Sequence, residues 1–261
     1  MDQQDIEAAA AMLRQHWQQS TRFDALPAHH RPGSRAEAYA IQAELARQSG
    51  QSIIGWKIAA TSKAGQQHIQ VDGPIAGCLL SDRSLAGGAQ ISLAGNNMQV
   101  AEAEFAFRMG AALPSRLETY SVPEVLAAVA SLHPAIEVPD SRYADFTRVG
   151  AAQLIADLAC GCWFVLGPAT HADWRGIDLA QHRVTVWRKG ALAGEGSGAN
   201  VLGDPRIALA WIANELSTFG EGLRAGDYVM TGTCLTPVPV AAGDNFKADF
   251  GAIGELEAEF V

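Results

Sequence analysis

No stretch of this chain approaches the roughly 18 consecutive apolar residues of a membrane-spanning helix, so an integral membrane protein is not expected. The opening Met-Asp-Gln-Gln-Asp is polar and acidic, which argues against a secretory signal. Positive charge is in deficit, with 19 Lys and Arg against 28 Asp and Glu, a net charge of −9. That balance, with no basic run carrying interleaved aromatics, argues against nucleic-acid binding. Cysteine is sparse: Cys78, Cys160, Cys162 and Cys234 are scattered apart from one Cys-Gly-Cys, a poor zinc pattern. They read as buried free thiols of a reducing compartment. Phosphate motifs are missing, since Gly194-Glu-Gly-Ser-Gly198 fits neither Gly-x-Gly-x-x-Gly nor the P-loop. There is no Gly-x-Ser-x-Gly elbow, no internal repeat and no low-complexity tract. What remains is a cytoplasmic protein of 261 residues whose 48% apolar share is ample for a core.

The stretch Gln99-Val-Ala-Glu-Ala-Glu-Phe-Ala-Phe-Arg108 organises the rest. It is rich in Val, Phe and Ala and reads as a buried or half-buried strand. On a strand, Glu102 and Glu104 share one face while Ala103, Phe105 and Phe107 fill the other. Two carboxylates side by side on an apolar strand need compensation. Solvent, or ion pairs to Lys or Arg, would supply it, and so would one divalent cation. A third acid, Glu137, interrupts the apolar run His133-Pro-Ala-Ile-Glu-Val-Pro139. It is either an edge-strand surface residue or part of a facial set of three oxygen ligands. Hard oxygen ligands suit Mg²⁺ or Mn²⁺.

Gly55-Trp-Lys-Ile-Ala-Ala-Thr-Ser62, Val71-Asp-Gly-Pro74, Ala101-Glu-Ala-Glu104, Ala135-Ile-Glu-Val138, Ile155-Ala-Asp157 and Gly226-Asp-Tyr-Val-Met-Thr-Gly232 follow one another in that order. The ordered set resembles the 2-keto-4-pentenoate hydratase group of the fumarylacetoacetate hydrolase superfamily, from about residue 35 onward. The resemblance implies an α+β fold, the mixed β-roll of such domains. Residues 1–50 would form a helical appendage with a possible lid loop, and residues 51–261 the catalytic domain. One departure stands out: those hydratases usually carry Asn after the acid matching Asp157, and here the residue is Leu158.

Texture supports the division. Residues 4–19 have helical apolar spacing, and residues 22–35 form a loop with His29-His30, more plausibly solvated than metal-binding. Ser34 with Glu37 resembles a capping box opening a helix that Gly50 ends. Strands are expected at Ile53–Ile58, Ile75–Leu80, Val100–Met109, Ala135–Val138, Cys162–Leu166, Val184–Lys189, Asp227–Thr231, Asp244–Phe250 and Glu255–Val261. Helices fit Thr61–Gln70, Ser121–Ser131, Thr147–Ala159 and Asp204–Phe219. Many strands with few, non-alternating helices favour α+β over a doubly wound sheet.

Lys57 stands between Trp56 and Ile58, either snorkelling to water or buried as an acid/base group. Next to a metal and away from water its pKa would fall into a useful range. The lysine of the matching family motif sits in the active site. Asp72 is a turn former in Val-Asp-Gly-Pro, or, at the family's acidic position, an acid/base partner of Lys57. Thr231 and Gly232 end a strand, where a hydroxyl and backbone N–H groups can approach an anionic substrate. Arg142 is placed either to hold a substrate carboxylate or to pair with a nearby acid.

The expectation is therefore a Mg²⁺- or Mn²⁺-dependent hydratase of 2-hydroxydienoates or their 2-oxo-enoate tautomers, a homo-oligomer with a small-acid substrate. Glu102, Glu104 and Glu137 would be the metal ligands, Lys57 and Asp72 the proton carriers. The alternatives are a 4-oxalocrotonate-type decarboxylase, another superfamily tautomerase or C–C hydrolase, and, in a different class, a non-catalytic subunit.

Overall fold

The computed structural model describes all 261 residues. In chain order the first elements are α1 (Gln3–Gln19), α2 (Arg35–Ser49), β1 (Ile53–Ala59), α3 (Lys63–His68), β2 (Ile75–Leu80), β3 (Ser84–Ala86) and β4 (Ala89–Ile91). The middle of the chain supplies β5 (Val100–Met109), α4 (Val122–Ala127), β6 (Val129–Val138), α5 (Ala151–Ala156) and β7 (Trp163–Leu166). The last part contains β8 (Arg183–Arg188), β9 (Ala191–Ser197), α6 (Pro205–Thr218), β10 (Tyr228–Thr233), β11 (Val238–Pro239), β12 (Asn245–Asp249) and β13 (Glu255–Phe260). No helix is long and apolar enough to cross a membrane.

An eight-stranded mixed sheet runs β2-β1-β10-β5-β6-β7-β3, with β11 added to β5, and a five-stranded sheet runs β4-β13-β12-β8-β9. Alternation along β5 sends Ala101, Ala103, Phe105 and Phe107 into the large core, which the helices cover. Ala106, on the opposite face, joins a small cluster with Leu79, Ala135, Phe164 and Met230. Leu79 on β2 and Phe164 on β7 lie on strands far apart in the sheet order. Met230, Ala106 and Ala135 bridge them along the face opposite the large core, and the two mixed sheets with their helices make the α+β fold expected from the sequence.

The Ser34 hydroxyl accepts the Glu37 N–H at 3.2 Å and starts α2, and Gly50 in the left-handed region (φ 72°) stops it. The Glu37 carboxylate does not close the box on Ser34; it accepts the Gly33 N–H and the Met1 ammonium. Helix α4 ends at Ala127, not Ser131, because the β-rich run from Val129 onward pairs with β5 over its whole length. The expected helix to Ala159 stops at Ala156. The glycine-rich stretch Ala191–Ser197, for which no element was expected, is edge strand β9.

Candidate metal and active site

Strand pairing assembles the acids. Glu102 on β5 lies directly opposite Glu137 on β6, and Glu104 follows two residues on, on the same face. One carboxylate oxygen from each lies within 4.8 Å of the others. Glu104 and Glu137 are fully buried and Glu102 is partly exposed, so the cluster opens at Glu102. Glu104 Oε1 and Glu137 Oε2 are buried without a hydrogen-bond partner. Orphaned buried carboxylate oxygens in a hard, all-oxygen set fit a divalent cation.

Lys57 is equally buried and reaches the same cluster from β1, its ammonium 2.8 Å from Glu137 Oε1. Nζ also donates to the Ala159 carbonyl at 2.9 Å. Burial pulls the lysine pKa down, but Glu137, Glu102 and Glu104 outweigh it and hold Lys57 above its ordinary range. This is the balance of the cluster with its acids uncompensated, whereas the depression expected from the sequence was for a lysine beside a cation. The acids respond in kind. Burial, then Glu137, pushes Glu102 up to about 8, against the pull of Lys57. Burial and the two neighbouring acids push Glu104 well up, and burial also raises Glu137 against Lys57.

The remaining expected residues divide. The N–H of Gly232 donates to Glu104 Oε2 at 2.9 Å, so it orients a candidate ligand rather than facing a substrate. The Thr231 hydroxyl donates to the Phe105 carbonyl at 2.9 Å and is fully buried. Both residues tie the end of β10 to β5. Arg142 takes the ion-pair alternative. Its guanidinium is buried against Asp157, donates to the Gly161 carbonyl at 3.1 Å, and lies over the Trp17 ring. All three guanidinium nitrogens donate to Asp157 or Gly161. Asp72 is exposed on a bend and makes no hydrogen bond or ion pair with Lys57. His30 pairs with Asp5 at 2.9 Å, and the ring of its neighbour His29 lies tilted against it.

Sequence reasoning missed the segment that carries Ala159. Leu158, Ala159 and Cys160 all have left-handed backbones, with φ of 55°, 50° and 63°. Each such L-residue costs roughly 1–2 kcal/mol, and runs of them are rare. The only signal in the sequence was Leu158 at the family's Asn position, since Asn tolerates this conformation best after Gly.

The model described as fumarylacetoacetate (FAA) hydrolase C-terminal matches residues 57–261. The 2-keto-4-pentenoate hydratase of Paraburkholderia xenovorans (strain LB400) is 34% identical over 227 residues, 86% of this chain and 83% of that protein. The 2-hydroxyhexa-2,4-dienoate hydratase of Comamonas testosteroni is 34% identical over 265 residues, 99% of this chain and 98% of that protein. The solved 4-oxalocrotonate decarboxylase from Pseudomonas putida G7, complexed with magnesium and adipate, superimposes with a TM-score of 0.91 at 29% identity, covering 100% of this chain and 99% of that one. A matched region that takes in every acid of the cluster, and Lys57, places this chain in the fumarylacetoacetate hydrolase C-terminal family.

Proposed function

We propose that this protein is a Mg²⁺- or Mn²⁺-dependent hydro-lyase that adds water to a small 2-hydroxydienoate or 2-oxo-enoate acid. The observation that carries the proposal is the buried cluster of Glu102, Glu104 and Glu137 with Lys57 against it. Two hydratases at 34% identity support the reaction class. A bound divalent ion supplies Lewis acidity toward a substrate carboxylate and 2-oxygen.

Glu102, Glu104 and Glu137 would hold the ion, with Glu104 kept in orientation by the Gly232 N–H. An ammonium has three donors. Two of those on Lys57 face Glu137 and Ala159, which leaves one for a proton at the reacting carbon. Burial keeps bulk water from competing for that proton. Water then adds to the activated double bond and gives a 4-hydroxy-2-oxo acid. Asp72, exposed and apart from Lys57, has no role in this proposal.

The likeness to a 4-oxalocrotonate decarboxylase supports a second reading, loss of CO₂ from a diacid. A diacid needs a cation for its second carboxylate. The two buried cationic side chains, Lys57 and Arg142, are engaged by Glu137 and Asp157. The monoacid is therefore preferred. Proton NMR of 2-hydroxypenta-2,4-dienoate and of 4-oxalocrotonate, each with enzyme and Mg²⁺, tests the choice. A 4-hydroxy-2-oxo acid from the monoacid is expected. CO₂ from the diacid alone would overturn it.

A further inference from the structure

The left-handed turn Leu158–Cys160 is clamped from several sides. Its first flank, Asp157, accepts the Ser141 hydroxyl at 2.8 Å and the Arg142 N–H at 3.0 Å, and pairs with the Arg142 guanidinium. Its other flank, Gly161, gives its carbonyl to the same guanidinium. Arg142 thus grips both ends of the turn. Between them, the Cys160 carbonyl accepts the Asp140 N–H at 2.9 Å. The Leu158 carbonyl rests on Gly77, where a Cβ would lie 1.9 Å from its oxygen. Gly77 is the direct cross-strand partner of Lys57. Its missing side chain lets the turn descend beside that lysine, and the Ala159 carbonyl then meets Nζ at 2.9 Å.

Packing alone does not call for such a backbone. Three consecutive left-handed L-residues persist only where surrounding structure over-determines them, and such strain gathers at functional sites. Here the constrained atom is the Ala159 carbonyl, and its one side-chain partner is the Lys57 ammonium.

We infer that the Leu158–Cys160 turn, held by Arg142 and admitted by Gly77, is the positioning device for Lys57. With Glu137 on one side and Ala159 on the other, two N–H groups are fixed and the third is aimed. Arg142 and Gly77 are positioning residues: neither touches substrate, and both act through the turn. The inference rests on the proposed proton-carrying role of Lys57, and its test separates the two.

Gly77→Ala keeps a backbone that any residue adopts and adds one methyl against the Leu158 carbonyl. A displacement of about 1 Å at a reacting group is worth on the order of a hundredfold, so kcat should fall about tenfold to a hundredfold. The Mn²⁺ dissociation constant, read by calorimetry without substrate, should stay within about threefold, because no ligand moves. Gly198→Ala is the matched control: its Cβ meets the Leu179 carbonyl at 2.1 Å, a contact that involves neither Lys57 nor the turn, and kcat should hold. Near wild-type kcat in Gly77→Ala, with turnover abolished in Lys57→Met, would overturn this inference alone. Near wild-type kcat in Lys57→Met would overturn the role of Lys57 itself. Should Gly77→Ala fail to fold, wild-type protein carries the test. A buried, doubly bonded ammonium gives a slowly exchanging ¹⁵Nζ signal that Lys57→Met lacks and Arg142→Lys weakens, and its absence from wild type would overturn the positioning.

Discussion

Glu104 shows why the cluster needs a cation. It is fully buried, one oxygen takes the Gly232 N–H, and the other has no partner. A lone carboxylate left so is heavily penalised unless it is protonated or paired. Burial and neighbouring acids accordingly favour the protonated forms, with Glu102 at about 8 against an ordinary 4.5. A carboxyl raised in the folded state contributes stability that is complete below its unfolded pKa and is lost as pH rises through the folded one. The metal-free protein should therefore lose stability between about pH 5 and 8 from this source. A divalent ion must displace those protons, so its thermal shift should grow over the same range. Tm with and without Mg²⁺, followed against pH, checks this. A shift independent of pH, or one that survives undiminished in Glu104→Gln, would remove the cluster as the metal site. Glu102 and Glu104 were legible in the sequence because a strand repeats every two residues, and Glu137 because a single acid interrupts an apolar run. Their union was legible only as one of two alternatives and through the family resemblance, since the register that sets Glu102 opposite Glu137 is a long-range fact.

Among the elements, β10 shows how an irregularity serves a site. Its pairing with β5 shifts between Met230 and Thr233, and within that shift Gly232 takes φ 107°. The bulge turns the Gly232 N–H to Glu104, where regular pairing would have sent it along the ladder. Gly232→Ala meets two obstacles, the positive φ and a Cβ 2.3 Å from the Thr61 hydroxyl. The N–H should withdraw from Glu104 and Mn²⁺ affinity fall about tenfold, the usual scale for losing a group that orients a ligand. Calorimetric titration checks it, and unchanged affinity would make the bond incidental. From the sequence, Thr231 and Gly232 read as groups facing a substrate, because a strand end looks the same whichever way its N–H points. The glycines of β9 concealed a strand for a related reason: Gly196 is required where a Cβ would sit 2.0 Å from the Cys234 carbonyl. Close backbone approach leaves the same trace in a sequence as a ligand loop. The helix expected to run to Ala159 gave way because its last residues are fixed by Arg142 and Gly77, both remote in sequence.

Across the whole molecule, the matched family region begins at residue 57, yet the helices before it reach into the same machinery. Ala9, Leu13, Ile41 and Leu45 belong to one hydrophobic core with Phe105 and Ile155. The guanidinium groups of Arg142 and Arg83 both lie over the Trp17 ring on α1. Gln42 on α2 is buried and donates to the Ala76 carbonyl at 3.1 Å and to the Ile155 carbonyl at 2.6 Å. Its own oxygen accepts the Cys78 N–H at 3.0 Å. One side chain thus brackets Gly77 on β2 and fixes the end of α5, from which the left-handed turn departs. Gln42→Leu keeps the volume and strands three buried backbone groups. At about 1–3 kcal/mol for each unsatisfied group, the loss should be roughly 3 kcal/mol or more. That is a large share of the ~5–15 kcal/mol that holds a typical protein folded. Urea unfolding followed by both far-ultraviolet circular dichroism and tryptophan fluorescence measures it. Coincident transitions, displaced together by Gln42→Leu, are expected if residues 1–50 share the stability of the catalytic part. A separate early transition that alone responds to the substitution would instead make those helices an independently melting appendage, and would detach Gln42 from the support of the turn.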